Sequence, residues 1–116
     1  LDQSALGILR KAEDKNGRKY MDWRIPYMDQ LGLIMVYKSD SRYEKYMIYF
    51  FTSPANKCPG KYLHTTYGSI QVDDGALTIR TKNSVYEFEL DASCVSEVDM
   101  ILLLRTVNEY FRDDGM

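Results

Sequence analysis

The sequence is poor in the residues that most often carry chemistry: among 116 residues there are two cysteines, one histidine, one tryptophan and three prolines. Cys58 and Cys94 have neither CxxC spacing nor a second pair to complete a zinc site. Two free thiols in a cytosolic protein is the preferred reading over a disulfide, because pairing is not readable from spacing. His64 has no Ser, Cys or carboxylate beside it in a recognisable catalytic pattern. No Gly-rich loop precedes a helix, so a cradle for nucleotide phosphates has no support. No run approaches the ~18 apolar residues that a membrane-spanning helix needs, and Leu1-Asp2-Gln3-Ser4 lacks the regions of a signal peptide. These absences lead to the expectation of a cytoplasmic protein with no catalytic residue, cofactor, metal or membrane contact.

What is present is the composition of a globular chain, 45% hydrophobic and 28% charged. Its length suits one domain spanning residues 1–116. The net charge of −2 divides unevenly: residues 1–66 carry a balance of +4 and residues 67–116 a balance of −6. Such a split either orients a partner or vanishes once the halves interleave in space.

Two segments have helical periodicity. Ala5, Ile8, Leu9 and Ala12 fall at i, i+3, i+4 and i+7 between Ser4 and Asn16, with Gly17 as a stop. Towards the C-terminus, Ser96 and Asp99 approximate a capping box, and Met100, Leu103, Leu104, Val107 and Phe111 form a stripe over Ser96 to Asp113. Between them lie strand patterns. Leu31 to Lys38 and Tyr43 to Thr52 are apolar on both faces and joined by the polar turn Ser39 to Arg42. Ser53 to Gly60, with two prolines and a glycine, reads as a loop. Lys61 to Tyr67, Ser69 to Val72, Ala76 to Thr81 and Ser84 to Leu90 alternate as a meander, turning at Asp73-Asp74-Gly75 and Lys82-Asn83. Ile70, Val72, Leu77, Ile79, Tyr86, Phe88 and Leu90 form its inner face, and Glu87 and Glu89 lie on the wet one. The fold expected is α+β: about five to six antiparallel strands in a meander, with a short N-terminal helix and an amphipathic C-terminal helix packed on one face. The stretch GSIQVDDGALTIRTKNSVYEFEL resembles the β-meanders of small proteins of bacteria and their phages, a resemblance that implies neither a function nor site residues.

Two groups of residues are candidates for contact with a partner. Trp23, Arg24 and Tyr27 sit in the aperiodic segment Tyr20 to Gln30, where Pro26 breaks regular structure, and they are the residue types enriched at interface hot spots. Arg42, at the end of the turn, and Tyr43 and Lys45, at the start of the second apolar strand, lie close to Tyr46, Tyr49 and Lys38. The function these features suggest is a non-enzymatic binding module acting through protein contacts, of the kind found in small bacterial or phage inhibitors and accessory proteins. The doubly apolar hairpin needs cover on its second face from the N-terminal helix or a partner subunit, which makes a homodimer one expectation. Two other classes stay open. A single-stranded nucleic-acid-binding module would use the Tyr/Lys/Arg-rich hairpin, although Tyr46 falls on the opposite strand face from Tyr43 and Tyr49. A small enzyme would centre on His64, with Cys58 or Cys94, in a cleft around that histidine.

Overall fold

The computed structural model describes residues 3–39, 45–52 and 62–90. These residues build seven strands: β1 (Gln3–Asp14), β2 (Leu31–Lys38), β3 (Tyr46–Thr52), β4 (Leu63–His64), β5 (Gly68–Asp73), β6 (Ala76–Thr81) and β7 (Ser84–Glu89). The one other element is a single 3-10 turn, Ile25–Tyr27. The strands form one antiparallel sheet in the order β2-β1-β7-β6-β5-β3-β4, and β2 also pairs with β3. That last pairing closes the sheet into a six-stranded barrel. Of the described residues, 64% are strand and 4% helix, so the α+β expectation is corrected to nearly all-β. Among the described residues no helix is long and apolar enough to cross a membrane.

The N-terminal helix is overturned by a β-bulge. β1 pairs with β7 at Leu9↔Phe88 and then at Lys11↔Glu87, leaving Arg10 as the extra residue. An extra residue flips the alternation, so Leu9 and Ala12, three apart, both point inward and are both buried. A bulged strand thereby reproduces the i, i+3 spacing of a helix. The same strand changes partner along its length: Gln3 to Ile8 pair with β2, and Ile8 to Asp14 pair with β7.

Closure also changes what the meander needs. Its inner residues Leu77, Ile79, Tyr86 and Phe88 pack against Ile34, Val36, Ile48 and Phe50 of the first hairpin across the barrel, with Leu9, Leu63 and Tyr27 completing the core. The sheet covers its own apolar face, so a helix is not required there. Phe50 and Phe88 meet with ring centroids 5.1 Å apart. Val72 departs from the expected inner face and is 61% exposed, lying at the end of β5 beside the Asp74-Gly75 turn. The segment Ser96 to Asp113, the loop Ser53 to Gly60, Cys58 and Cys94 lie outside the described residues.

The hairpin β2–β3 is apolar on both faces, as its sequence demands. Its outer face gathers buried Met35 and Phe51 with half-buried Leu33, Tyr37, Tyr49 and Tyr62. The N-terminal segment expected to cover this face as a helix is instead a stave of the barrel.

Candidate protein-interaction site

The connection between β1 and β2 is held by a succession of local bonds. Asp14 opens it, its Oδ1 accepting the backbone N–H groups of Asn16 (2.8 Å) and Arg18 (3.0 Å). Tyr20 N–H returns to the Ala12 carbonyl at 3.1 Å, so residues 12–20 form a tight hairpin outside the barrel. These donors, Arg18's first, hold the Asp14 carboxyl below the ordinary aspartate value of 3.8, with burial opposing. A depressed carboxyl contributes stability above the unfolded value and loses it as pH falls through the folded one. The Asn16 and Arg18 amide resonances are therefore expected to titrate together, with a midpoint below 3.8. A midpoint above that value in an NMR pH titration would contradict this assignment.

Asp22 organises the next stretch. Its Oδ1 accepts Arg24 N–H at 3.0 Å and its carbonyl accepts Ile25 N–H at 3.1 Å, which starts the 3-10 turn that Pro26 continues. The turn ends at Tyr27, and Asp29 (φ 62°) brings the chain back, its N–H donating to the Leu9 carbonyl at 2.8 Å. Arg10 ties this return to β7, contacting Asp29 at 2.9 Å and Glu89 at 2.7 Å.

Arg24 is the hub of the connection. Its guanidinium lies 3.7 Å above the Tyr20 ring centroid and 4.8 Å from that of Trp23. Its Nε donates to the Tyr86 hydroxyl at 2.8 Å, and Nη1 pairs with Asp22 Oδ2. Tyr20 is in turn fixed against β7, with its hydroxyl 2.5 Å from Ser84 Oγ. Trp23 packs edge-on against Tyr27, with centroids 6.2 Å apart. The aromatic side chains are thus positioned by the barrel wall.

Of the sequence candidates, Trp23, Arg24 and Tyr27 do come together, in different roles. Tyr27 is fully buried and belongs to the core, Arg24 is half-buried, and Trp23 remains 46% exposed. Lys45 is exposed at the far end of the first hairpin, where its carbonyl accepts Ser39 N–H at 2.7 Å. Arg42 and Tyr43 lie outside the described residues. Two residues escaped the sequence reading: Met21 is 81% exposed and Ile25 45% exposed, both in the same connection as Trp23. Between this connection and β1 runs a groove of about 500 Å³, lined by apolar Met21, Ile25 and Met28 and by charges of both signs, Lys11 and Lys19 with Glu13 and Asp29.

No protein-family model, curated protein or solved structure matches this chain.

His64 does border a cavity, of about 320 Å³. Among the described residues the remainder of its lining is Thr65, Thr66, Thr81, Asn83 and Ser84 with Tyr20, Tyr86 and Arg24, with no carboxylate. His64 is exposed, with Nδ1 3.2 Å from the Thr65 carbonyl oxygen. Among the described residues no three His, Cys, Asp or Glu side chains gather as a metal site would require. As the strand alternation predicts, Tyr46 and Tyr49 lie on opposite faces: Tyr46 packs against the core and Tyr49 lies on the outer face. Glu87 and Glu89 stand in cross-strand ion pairs, at 3.9 Å from Lys11 and 2.7 Å from Arg10.

Proposed function

We propose that this protein is a non-enzymatic binding module that acts through protein–protein contacts, with the β1–β2 connection as its recognition surface. The observation that carries the reading is Trp23, an indole held in place by Arg24 and Tyr27 while nearly half of it stays in solvent. Met21 and Ile25 extend it into an apolar patch on the same short segment. A fixed aromatic lowers the ordering cost of association, and tryptophan in such a setting is a common interface anchor. The class of partner this suits is a protein bearing an apolar pocket for Trp23.

The test is photo-crosslinking in the native host with a benzophenone amino acid at Met21, followed by affinity measurement on the captured protein. Trp23→Ala is expected to weaken that complex by at least about 2 kcal/mol, roughly thirtyfold, with the melting temperature little changed. Unaltered affinity in a Trp23→Ala, Ile25→Asp double variant would overturn the assignment of the site.

A further inference from the structure

A polar recess lies behind the recognition segment. It is the cavity of about 320 Å³ that His64 borders, and three stretches of chain enclose it: Tyr20 and Arg24 of the β1–β2 connection, His64 to Thr66 between β4 and β5, and Thr81, Asn83 and Ser84 at the β6–β7 turn. All three stretches are described throughout. Trp23 is not part of the lining, so the recess is distinct from the surface assigned to protein contact. Barrel mouths are common seats for small molecules, and this volume stands at the lower end of the range of ligand pockets, about 300–1,000 Å³.

The lining offers more donors than acceptors. Some of its hydroxyls are committed: Tyr20 to Ser84 Oγ, Thr81 to the Ser84 backbone, and Thr65 to the Ile48 N–H and the Thr66 carbonyl. Tyr86 is different. Its oxygen accepts the Arg24 Nε–H, so its own proton has no acceptor among the described residues. Arg24 Nη2, the Asn83 side-chain amide, the Thr66 hydroxyl and Nε2 of His64 likewise have no hydrogen-bond partner among the described residues. Asp22, which holds Arg24 Nη1, is not one of the lining residues.

The Arg24 guanidinium is also fixed before any ligand arrives. The Tyr20 ring lies 3.7 Å from it, Tyr86 holds Nε and Asp22 holds Nη1, while Tyr86 and Ser84, which anchor this arrangement, are buried in the barrel wall. A half-buried cation held in this way loses little freedom on meeting an anion, and its charge-assisted hydrogen bonds are about twice as strong as neutral ones.

We propose that this recess binds a small molecule through a phosphate or carboxylate group, with Arg24 as the charged anchor and Tyr86, Asn83 and Thr66 as donors to the remaining oxygens. The surplus of donors selects an oxyanion over a cation or an apolar group, and a guanidinium suits its paired oxygens.

The test is an NMR titration of the whole chain with sodium phosphate and with sodium acetate, against sodium chloride at matched ionic strength. Phosphate is expected to bind with a dissociation constant of about a millimolar, shifting the Arg24 Nε–H resonance and the amides of residues 64–66 and 81–84, and acetate, with fewer oxygens, to bind more weakly. Trp23 is the only tryptophan and lies 4.8 Å from the guanidinium, so its fluorescence is expected to follow the same curve. Arg24→Gln is expected to abolish saturable binding, and Arg24→Lys, which keeps the charge without the fork, to retain part of it. As a second arm that leaves the connection intact, Asn83→Asp places a carboxylate in the lining at an exposed position. It is expected to raise the dissociation constant at least about tenfold with the melting temperature unchanged. No saturable shift with either anion up to about fifty millimolar, shifts that chloride reproduces, or binding that persists in both Arg24→Gln and Asn83→Asp overturns the proposal.

Discussion

Gly68→Ala is expected to open the barrel. A β-carbon at this position would lie 2.7 Å from the Arg80 carbonyl carbon and 2.9 Å from Thr81 Cα, and closer still to the Arg80 carbonyl oxygen. All three are backbone atoms of β6, the strand with which β5 pairs from end to end, so no rotamer change makes room. Gly68 is also the residue that bonds β5 to β3. A shift at Gly68 large enough to admit a methyl group therefore breaks the one β3–β5 bridge among the described residues. Tyr46 and Ile70, both packed against the core beside this bridge, would lose their cover. Urea unfolding of Gly68→Ala is expected to show a loss above about 3 kcal/mol, a large part of the 5–15 kcal/mol typical of a whole domain. A loss below about 1 kcal/mol would show that the seam does not depend on this close approach.

Phe50→Ala is expected to have an effect of similar size for the opposite reason, too little volume. The Phe50 ring is fully buried, touches Phe88 across the barrel, and occupies the space that a side chain at residue 32 would need. A β-carbon on Gly32 would meet that ring at 2.6 Å. Truncation to alanine removes the ring and leaves a cavity that a closed barrel cannot collapse, which costs about 3–5 kcal/mol. Phe50→Leu is expected to cost about half as much. The Phe51 carbonyl oxygen would meet the same β-carbon at 2.6 Å, so Gly32→Ala is expected to remain harmful beside Phe50→Leu, with only the ring's share of the clash relieved, a partial coupling that a double-mutant cycle reads directly. Additivity of the two substitutions would show that the two positions do not share that space.

How much of this could be read from the chain depended on whether a residue's neighbours were local. β2, β6, β7 and most of β3 follow from their apolar patterns, and the Asp74-Gly75 turn from its composition, because each is decided within a few residues. β1 was misread because a bulge at Arg10 gives a strand the spacing of a helix, and the bulge is fixed by pairing with residues far along the sequence. The need for a covering helix was misjudged for the same reason: β2–β3 closure is a property of the whole sheet and leaves no mark on any one strand. At the candidate site, the residue types Trp23 and Arg24 were informative by themselves. Tyr27 was not separable from them, since only the 3-10 turn sends its ring inward while Trp23 stays out. Met21 and Ile25 gave no signal, because an aperiodic segment does not reveal which of its apolar side chains are exposed.

The change of partner along β1 also governs the order in which the chain reaches its native state. Its first half finds β2 about one loop away, but its second half must wait for residues 70 positions later (Asp14 with Ser84) to 81 positions later (Ile8 with Glu89). Contacts of such sequence separation carry a high loop-closure cost and slow the search for the native topology. During synthesis β1 therefore emerges with half of its edge unsatisfied and stays so until β7 has left the ribosome. The interval between the two events is when this chain is most exposed to aggregation, and the charged residues Arg10, Lys11, Glu13 and Asp14 in that waiting half guard against it.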